Sequence, residues 1–323
     1  MFLLNKRTFL GCLLCLPVFA GSMATVCEVS DVTTPCLQDS WGIEAHALLL
    51  NANTSAIDIP HQIYSSSGQA EFGTNPTWQW GFEVGGTYVW NTGNDFVWSW
   101  SNYRNEDINK NLTHPVALGT IVQQNVSSMT IDKVINDAIL DTANFNTTYE
   151  WDQINFEFGQ PMDLPLRVKI RPHAGVQISR IANYLNTRFG TTDSQENSLF
   201  TTRTSTMFNG MGPRSGLELR WESDWGLSVY GRGNLGLMYG PAKNNEYVVD
   251  VLANATTLYN SSLTRVVPTL DSQLGAECQF DIAQGLVSLD VGWQWNSYQG
   301  ALMETAFNIQ GLFFGLKWLG TLA

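Results

Sequence analysis

Apolar and polar residues take turns along most of this chain. Between Arg167 and Ser179 the odd positions are Arg167, Lys169, Arg171, His173, Gly175, Gln177 and Ser179. The even ones are Val168, Ile170, Pro172, Ala174, Val176 and Ile178. A helix would scatter these residues around its axis, whereas a strand sorts them onto two faces. The same sorting recurs over Trp78–Tyr88, Gln153–Phe158, Pro213–Trp221, Leu227–Tyr239, Leu270–Phe280 and Val287–Asn296. It is weaker over Trp41–Leu50, Phe96–Arg104 and Asn308–Leu319. The pattern predicts about ten strands, and roughly 8 to 12 fit it.

The connections alternate as well. Short turns fall at Asn91–Asn94, Gln160–Pro165, Glu222–Gly226 and Asp281–Gly285, and long polar loops at 51–77, 105–148, 182–209 and 241–266, with a shorter one at 299–307. Short turns at one end and long loops at the other describe an all-β, antiparallel, up-and-down transmembrane β-barrel. Ten strands put both termini on the short-turn, periplasmic side. In hydrocarbon an open sheet edge leaves peptide groups unpaired, so the sheet must close on itself. Trp78, Trp98, Trp100, Trp221, Tyr239, Trp295 and Trp318 stand near strand ends and suit the interfacial girdles. The competitor is a soluble β-sandwich, whose strands usually run about 5–6 residues; several here run past ten. Within 105–148, Ile131, Val134, Ile135, Ala138 and Ile139 follow a helical period and predict either a small helix at the mouth or a surface loop.

The first residues change the picture. Lys6 and Arg7 precede an apolar run from Thr8 to Ala20, with Ser22-Met23-Ala24 as a small-residue cleavage site. This predicts a cleavable signal peptide over 1–24, a periplasmic segment over 25–40 and a barrel over 41–319. The run is too short for a transmembrane anchor. Cleavage removes Lys6 and Arg7 and takes the net charge from −12 to −14. Only 14% of residues are charged, against about 25% in a soluble domain. The acidic balance excludes a nucleic-acid partner bound through general basicity. Three cysteines remain after cleavage. Cys27 and Cys36 lie close together in an exported segment and are a candidate disulfide, leaving Cys278 as a small apolar residue. No Cys or His spacing suits a metal.

Several stretches resemble the Legionella-type pore-forming major outer membrane protein family. They are Thr33-Thr-Pro-Cys36, Asn91-Thr-Gly-Asn-Asp95, Phe156-Glu-Phe-Gly-Gln160, Arg171-Pro-His-Ala-Gly175, Gly210-Met-Gly-Pro-Arg-Ser-Gly216, Ser228-Val-Tyr-Gly231 and Met238-Tyr-Gly240. The resemblance spans about Cys27 to Trp318. It implies an outer-membrane barrel with porin-like activity, and it brings no catalytic residues with it.

If the polar faces point inward, Arg167, Lys169, Arg171 and His173 form a ladder on one strand. Glu157 stands beside it on one side and Arg214, Glu218 and Arg220 on the other, with Arg232 one strand further. These nine are the candidate pore-lining residues. Rings of fixed charge set ion preference in pores, so one reading is a channel with a basic stripe facing Asp271, Glu277 and Asp290. The other is that the charges pair across the lumen and fill it. A barrel of about eight strands is just filled by side chains. Function divides in the same way: a porin-like pore for ions and small solutes, or a structural or adhesive surface protein with a filled barrel whose outer loops bind host or neighbouring molecules. An enzyme is disfavoured. His173 has no Ser or Asp placed to complete a triad, and no cofactor motif sits at a strand-to-helix phosphate turn. The implied location is the bacterial outer membrane. The implied partners are outer-membrane lipid and the export and barrel-assembly machinery, with a homo-oligomer and host surface ligands as further candidates.

Overall fold

The computed structural model describes the chain from Asp39 to Thr321, apart from residues 55–60, 66–67, 73–76, 106–109, 117–119, 127–128, 136–139, 191–197, 251–254, 283–284 and 303–304. The signal peptide and the Cys27–Cys36 bridge expected from the sequence lie outside the described residues.

Ten long strands form the body: β1 (Ser40–Thr54), β2 (Gln79–Val89), β3 (Asp95–Asn105), β4 (Leu140–Gly159), β5 (Val168–Gly190), β6 (Ser198–Glu222), β7 (Leu227–Asp250), β8 (Ala255–Ile282), β9 (Gly285–Leu302) and β10 (Thr305–Thr321). Each pairs antiparallel with its sequence neighbour. β10 returns to β1, from Ser40↔Thr321 to Thr54↔Phe307, and closes the barrel. Gly93 (φ 81°) and Gly226 (φ 75°) shape two of the short turns, where the left-handed backbone favours glycine.

The strands run far past the bilayer. A transmembrane strand needs about 9–11 residues, yet β7 has 24 and β8 has 28. The expected loops 182–209 and 241–266 are therefore mostly strand, continuing β5 into β6 and β7 into β8. The expected helix is corrected too: Met129–Ile135 is a strand in a separate antiparallel sheet ordered Gly68–Phe72, His61–Ser65, Thr120–Val126, Met129–Ile135. Ile131, Val134 and Ile135 fit a helical period only because a short stretch cannot separate the two periods; Ala138 and Ile139 lie outside the described residues.

One rule orders the barrel wall. Low on each strand the outward residues are apolar: Ile43, Ala45, Ala47 and Leu49 on β1, and Val229, Leu235, Leu237 and Tyr239 on β7. The registers carry the top of this band around the wall. Tyr239, Met211, Ile178, Ile154 and Trp100 are successive cross-strand neighbours on β7 to β3. One outward step higher come Asn209, Arg180, Asp152 and Asn102, and on β1 and β10 Asn51 faces Gln310. Polar residues on β1, β3 to β6 and β10 thus form a belt that caps a band about as tall as a membrane core. Trp41 packs edge-on against Trp318 at 4.8 Å near the lower edge, and Trp78 against Trp293 at 5.9 Å near the upper one.

Inside, the pattern inverts at the same height. Within the band the lumen is polar: Glu44 and His46 on β1, Glu157, Asn155 and Gln153 on β4. From just below the belt upward apolar side chains gather inside. Leu48, Leu50 and Ala52 on β1, Ile181 on β5, Phe208 on β6, Phe307, Ile309 and Phe313 on β10 are all buried in one cluster. The barrel is inside-out within lipid, and above it water wets the outside while apolar side chains gather inside, with Thr147, Thr187, Thr202, Thr204, Thr206 and Glu246 buried among them.

Candidate functional site

The polar half of the lumen is the site with the most chemistry. Arg171 on β5 donates two hydrogen bonds to Asp95 at the start of β3, at 2.7 and 2.6 Å. The fork of a guanidinium matches a carboxylate in this bidentate way. Gly159 lies against that guanidinium, and a Cβ there would overlap it. Glu157 then sits between Arg214, at 3.0 Å, and Arg171 and His173, both at 3.6 Å. Arg214 reaches across to Asp271 at 3.2 Å and donates to Asn155 at 2.6 Å.

Nearer the periplasm a second cluster shares its partners. Glu218 accepts from Arg232 at 2.8 Å and Arg220 at 3.2 Å. Arg220 also donates to Glu277 at 2.7 Å. Lys317 lies within 4.0 Å of Asp290, Glu44 and Glu277. His46 stands between Asp290 at 3.4 Å and Glu83 at 3.5 Å. A Cβ on Gly315 would collide with both His46 and Asp290, so this wall position needs glycine. Tyr230 donates to Asp290 at 2.9 Å, with Arg220 and Lys317 over its ring. Between the two clusters is a polar cavity of about 40 Å³ lined by Glu44, Glu83, Arg214, Arg232 and Asp271 among others, roomy enough for one or a few waters.

A neutral layer joins the charged clusters to the apolar fill. Trp151 donates to the Tyr298 hydroxyl at 2.7 Å, and that hydroxyl donates in turn to Gln153. Gln177 donates to Gln153 at 3.0 Å and Thr269 to Gln177 at 3.2 Å. Above these amides the buried interior mixes apolar side chains with threonines and Glu246.

Seven of the nine residues singled out in the sequence, namely Glu157, Arg171, His173, Arg214, Glu218, Arg220 and Arg232, lie inside the lumen in these clusters. The other two do not. Arg167 belongs to the turn Pro165–Arg167, where Leu166 (φ 66°) and Arg167 (φ 63°) are left-handed. That geometry breaks the alternation before β5 begins, and Arg167 pairs with Asp224 of the neighbouring turn at 2.5 Å. Lys169 stands at the periplasmic rim, 2.9 Å from Glu222 and 43% exposed. The ladder is thus cut at its lower end. The basic stripe and the acidic wall are not held apart either: Arg214 binds Asp271 and Arg220 binds Glu277 across the interior. His173 is spent on structure, with Nε2 2.5 Å from Asn234 Oδ1 and Nδ1 3.2 Å from the Arg171 carbonyl. Among the described residues no group of His, Cys, Asp and Glu is placed to hold a metal. Sequence reading missed Asp95, His46, Glu44 and Lys317 as members. Glu83 and Asn234 were on the polar faces and could have been added by the same alternation.

The profile of the family described as the Legionella pneumophila major outer membrane protein precursor matches residues 33–320. The chain belongs to this family. It is an outer-membrane protein of the Gram-negative type, and the resemblance carried by Arg171-Pro-His-Ala-Gly175 and the other stretches extends over nearly its whole length. A search of curated proteins finds no match. Among solved structures the chain is similar to the outer membrane protease OmpT of Escherichia coli, at 10% identity and TM-score 0.45, covering 88% of this chain and 97% of that one. It is similar to a major outer membrane protein from Thermus thermophilus at 11% identity and TM-score 0.37, covering 87% and 98%. It is also similar to the attachment invasion locus protein Ail of Yersinia pestis at 8% identity and TM-score 0.26, covering 88% and 99%. A protease, a major outer membrane protein and an attachment protein share no activity, and none is carried over to this family member.

Proposed function

We propose that this family member is a surface-presenting structural barrel whose lumen is shut in its resting state. The observation that carries the reading is the apolar cluster across the extracellular half of the interior, in which Leu50, Ile181, Phe208, Phe307 and Ile309 are all 0% exposed. A dry plug of this kind excludes water and therefore ions, as hydrophobic constrictions do in closed channels. What the fold offers to the outside is wall: β5 to β8 rise well above the polar belt, and residues 256–264 of β8 are exposed on both faces. Host or neighbouring molecules would meet this surface.

The porin-like reading survives in a gated form, and a specific observation favours it. The charged half is built of shared partners, with Lys317 near three carboxylates and Arg220 between two. Pairs that share partners can exchange them without exposing a bare charge. In this reading only the apolar plug has to part for solutes to cross.

Planar-bilayer recording of folded, purified protein distinguishes the two. The shut barrel gives no sustained conductance steps between long closed periods. Steady, discrete steps from protein that retains its heat-modifiable gel mobility would reject it and establish the pore.

A further inference from the structure

The Lys and Arg residues whose side chains are described fall into clear groups. Five of them, Arg171, Arg214, Arg220, Arg232 and Lys317, are in the polar lumen, and Arg167 and Lys169 are at the periplasmic rim. Arg265 is on the inner face of upper β8. All the others in this set face outward in or above the polar belt, and only on β3, β5, β6 and β7: Arg104, Arg180, Arg188, Arg203 and Lys243, each exposed. Arg104 and Arg180 share Glu150 at 3.6 and 3.3 Å. Among the described residues, no carboxylate stands on the outward face of β5, β6 or β7 above the belt, whose outward positions there are otherwise Asn, Ser, Thr, Tyr, Ala, Met, Pro and Val. The outward face of β8, β10 and β1 above the belt holds no cation among the described residues.

Height matters as much as sign. Lys243 is four residues above Tyr239, Arg203 eight above Met211 and Arg188 ten above Ile178. At about 3.3 Å per residue and a tilt near 45°, these are roughly 9, 19 and 23 Å above the apolar band. Arg188 and Arg203 are diagonal neighbours, since Arg188 faces Thr201, a spacing of about 7–8 Å. Such a ladder begins where lipid headgroups begin and climbs through the depth of a saccharide layer. A soluble polyanion would not need it to start at the membrane.

We propose that the outward face of β5, β6 and β7 binds a phosphate-bearing anionic glycolipid of the surrounding outer leaflet, through Arg188, Arg203 and Lys243. Arginine and lysine near a charged lipid surface contribute additively through phosphate attraction, and the one-sided placement would give the barrel a preferred lipid-facing side. The inference is independent of whether the lumen opens.

The experiment uses full-length processed protein in detergent and lipopolysaccharide as the probe, intact or enzymatically dephosphorylated. Affinity is expected to fall about fivefold for each single Gln substitution and on the order of a hundredfold for R188Q/R203Q/K243Q, with heat-modifiable mobility unchanged. The charge-preserving variant R188K/R203K/K243R should bind like the parent, and dephosphorylated lipopolysaccharide should bind like the triple Gln variant. Unchanged affinity in the triple Gln variant overturns the proposal. So does equal binding of the dephosphorylated lipid, or a soluble sulfated polysaccharide that binds through these residues where lipopolysaccharide does not.

Discussion

Phe208→Ala is expected to lower the stability of the folded barrel by about 3–5 kcal/mol. Phe208 is completely buried on the inner face of β6, just above the belt, in the cluster with Met238, Phe307 and Phe313. It faces no lipid, so its contribution is that of a core aromatic in water-soluble protein: lost apolar transfer plus the cavity left behind. Phe313→Ala, also on the inner face and opposite Leu48, should behave alike. Leu263→Ala is the control, because Leu263 is 51% exposed on β8, and surface changes of this kind usually stay within about 0.5 kcal/mol. Urea unfolding in detergent micelles, followed by tryptophan fluorescence, reads the difference. A loss below about 1 kcal/mol at both phenylalanines would mean that this apolar cluster is not a packed core.

Glu218→Ala is expected to cost about 3–5 kcal/mol. Glu218 is buried and accepts from two arginines, Arg232 at 2.8 and 3.1 Å and Arg220 at 3.2 Å. Removing it leaves positive charge without its partner in a site walled by lipid, and breaking a buried pair is far costlier than the pair's own net contribution. For that reason the double change Glu218→Ala with Arg232→Met should recover much of the loss, since both members of one pair are gone. The exposed pair Arg167–Asp224 sets the scale at the other end: Asp224→Asn should stay within about 1 kcal/mol. The same unfolding assay measures all four. Additive losses from Glu218→Ala and Arg232→Met would show that the two do not interact.

How much of this could be read from residues alone depends on height along each strand. Within the band, β5 from Val168 to Ser179 follows strict alternation and β6 from Pro213 to Trp221 does so apart from the outward Ser215, and the structure sorts them to lumen and lipid by it. On β1 the alternation looked weak because it reverses. Leu48 and Leu50 face inward while Asn51 and Asn53 face outward, so a reading that expects one phase sees apolar residues on both sides. The same reversal made 182–209 and 241–266 look like polar loops: their outward Arg, Asn, Ser and Thr are what a wall above the membrane requires. The lumen partners were hidden for a different reason. Arg171 and Asp95 are 76 residues apart and His46 and Asp290 are 244 apart, and no local pattern encodes a pairing that only barrel closure creates. Arg167 was misplaced because two consecutive left-handed residues cannot be foreseen at Leu166 and Arg167, where the side chains disfavour them.

The most direct test of the inversion is a labelling series along β1, in protein whose own cysteines are replaced and which is refolded into bilayers. Fluorophores placed one at a time at Ile43, Ala45, Ala47 and Leu49 should be quenched by brominated lipid. One at Asn53 should escape that quenching and react with a membrane-impermeant reagent. A cysteine at Leu50 should meet neither lipid nor water until the barrel is unfolded. Lipid quenching at Asn53, or rapid aqueous labelling at Leu50 in the folded protein, would contradict a polar core within the membrane capped by a dry one above it.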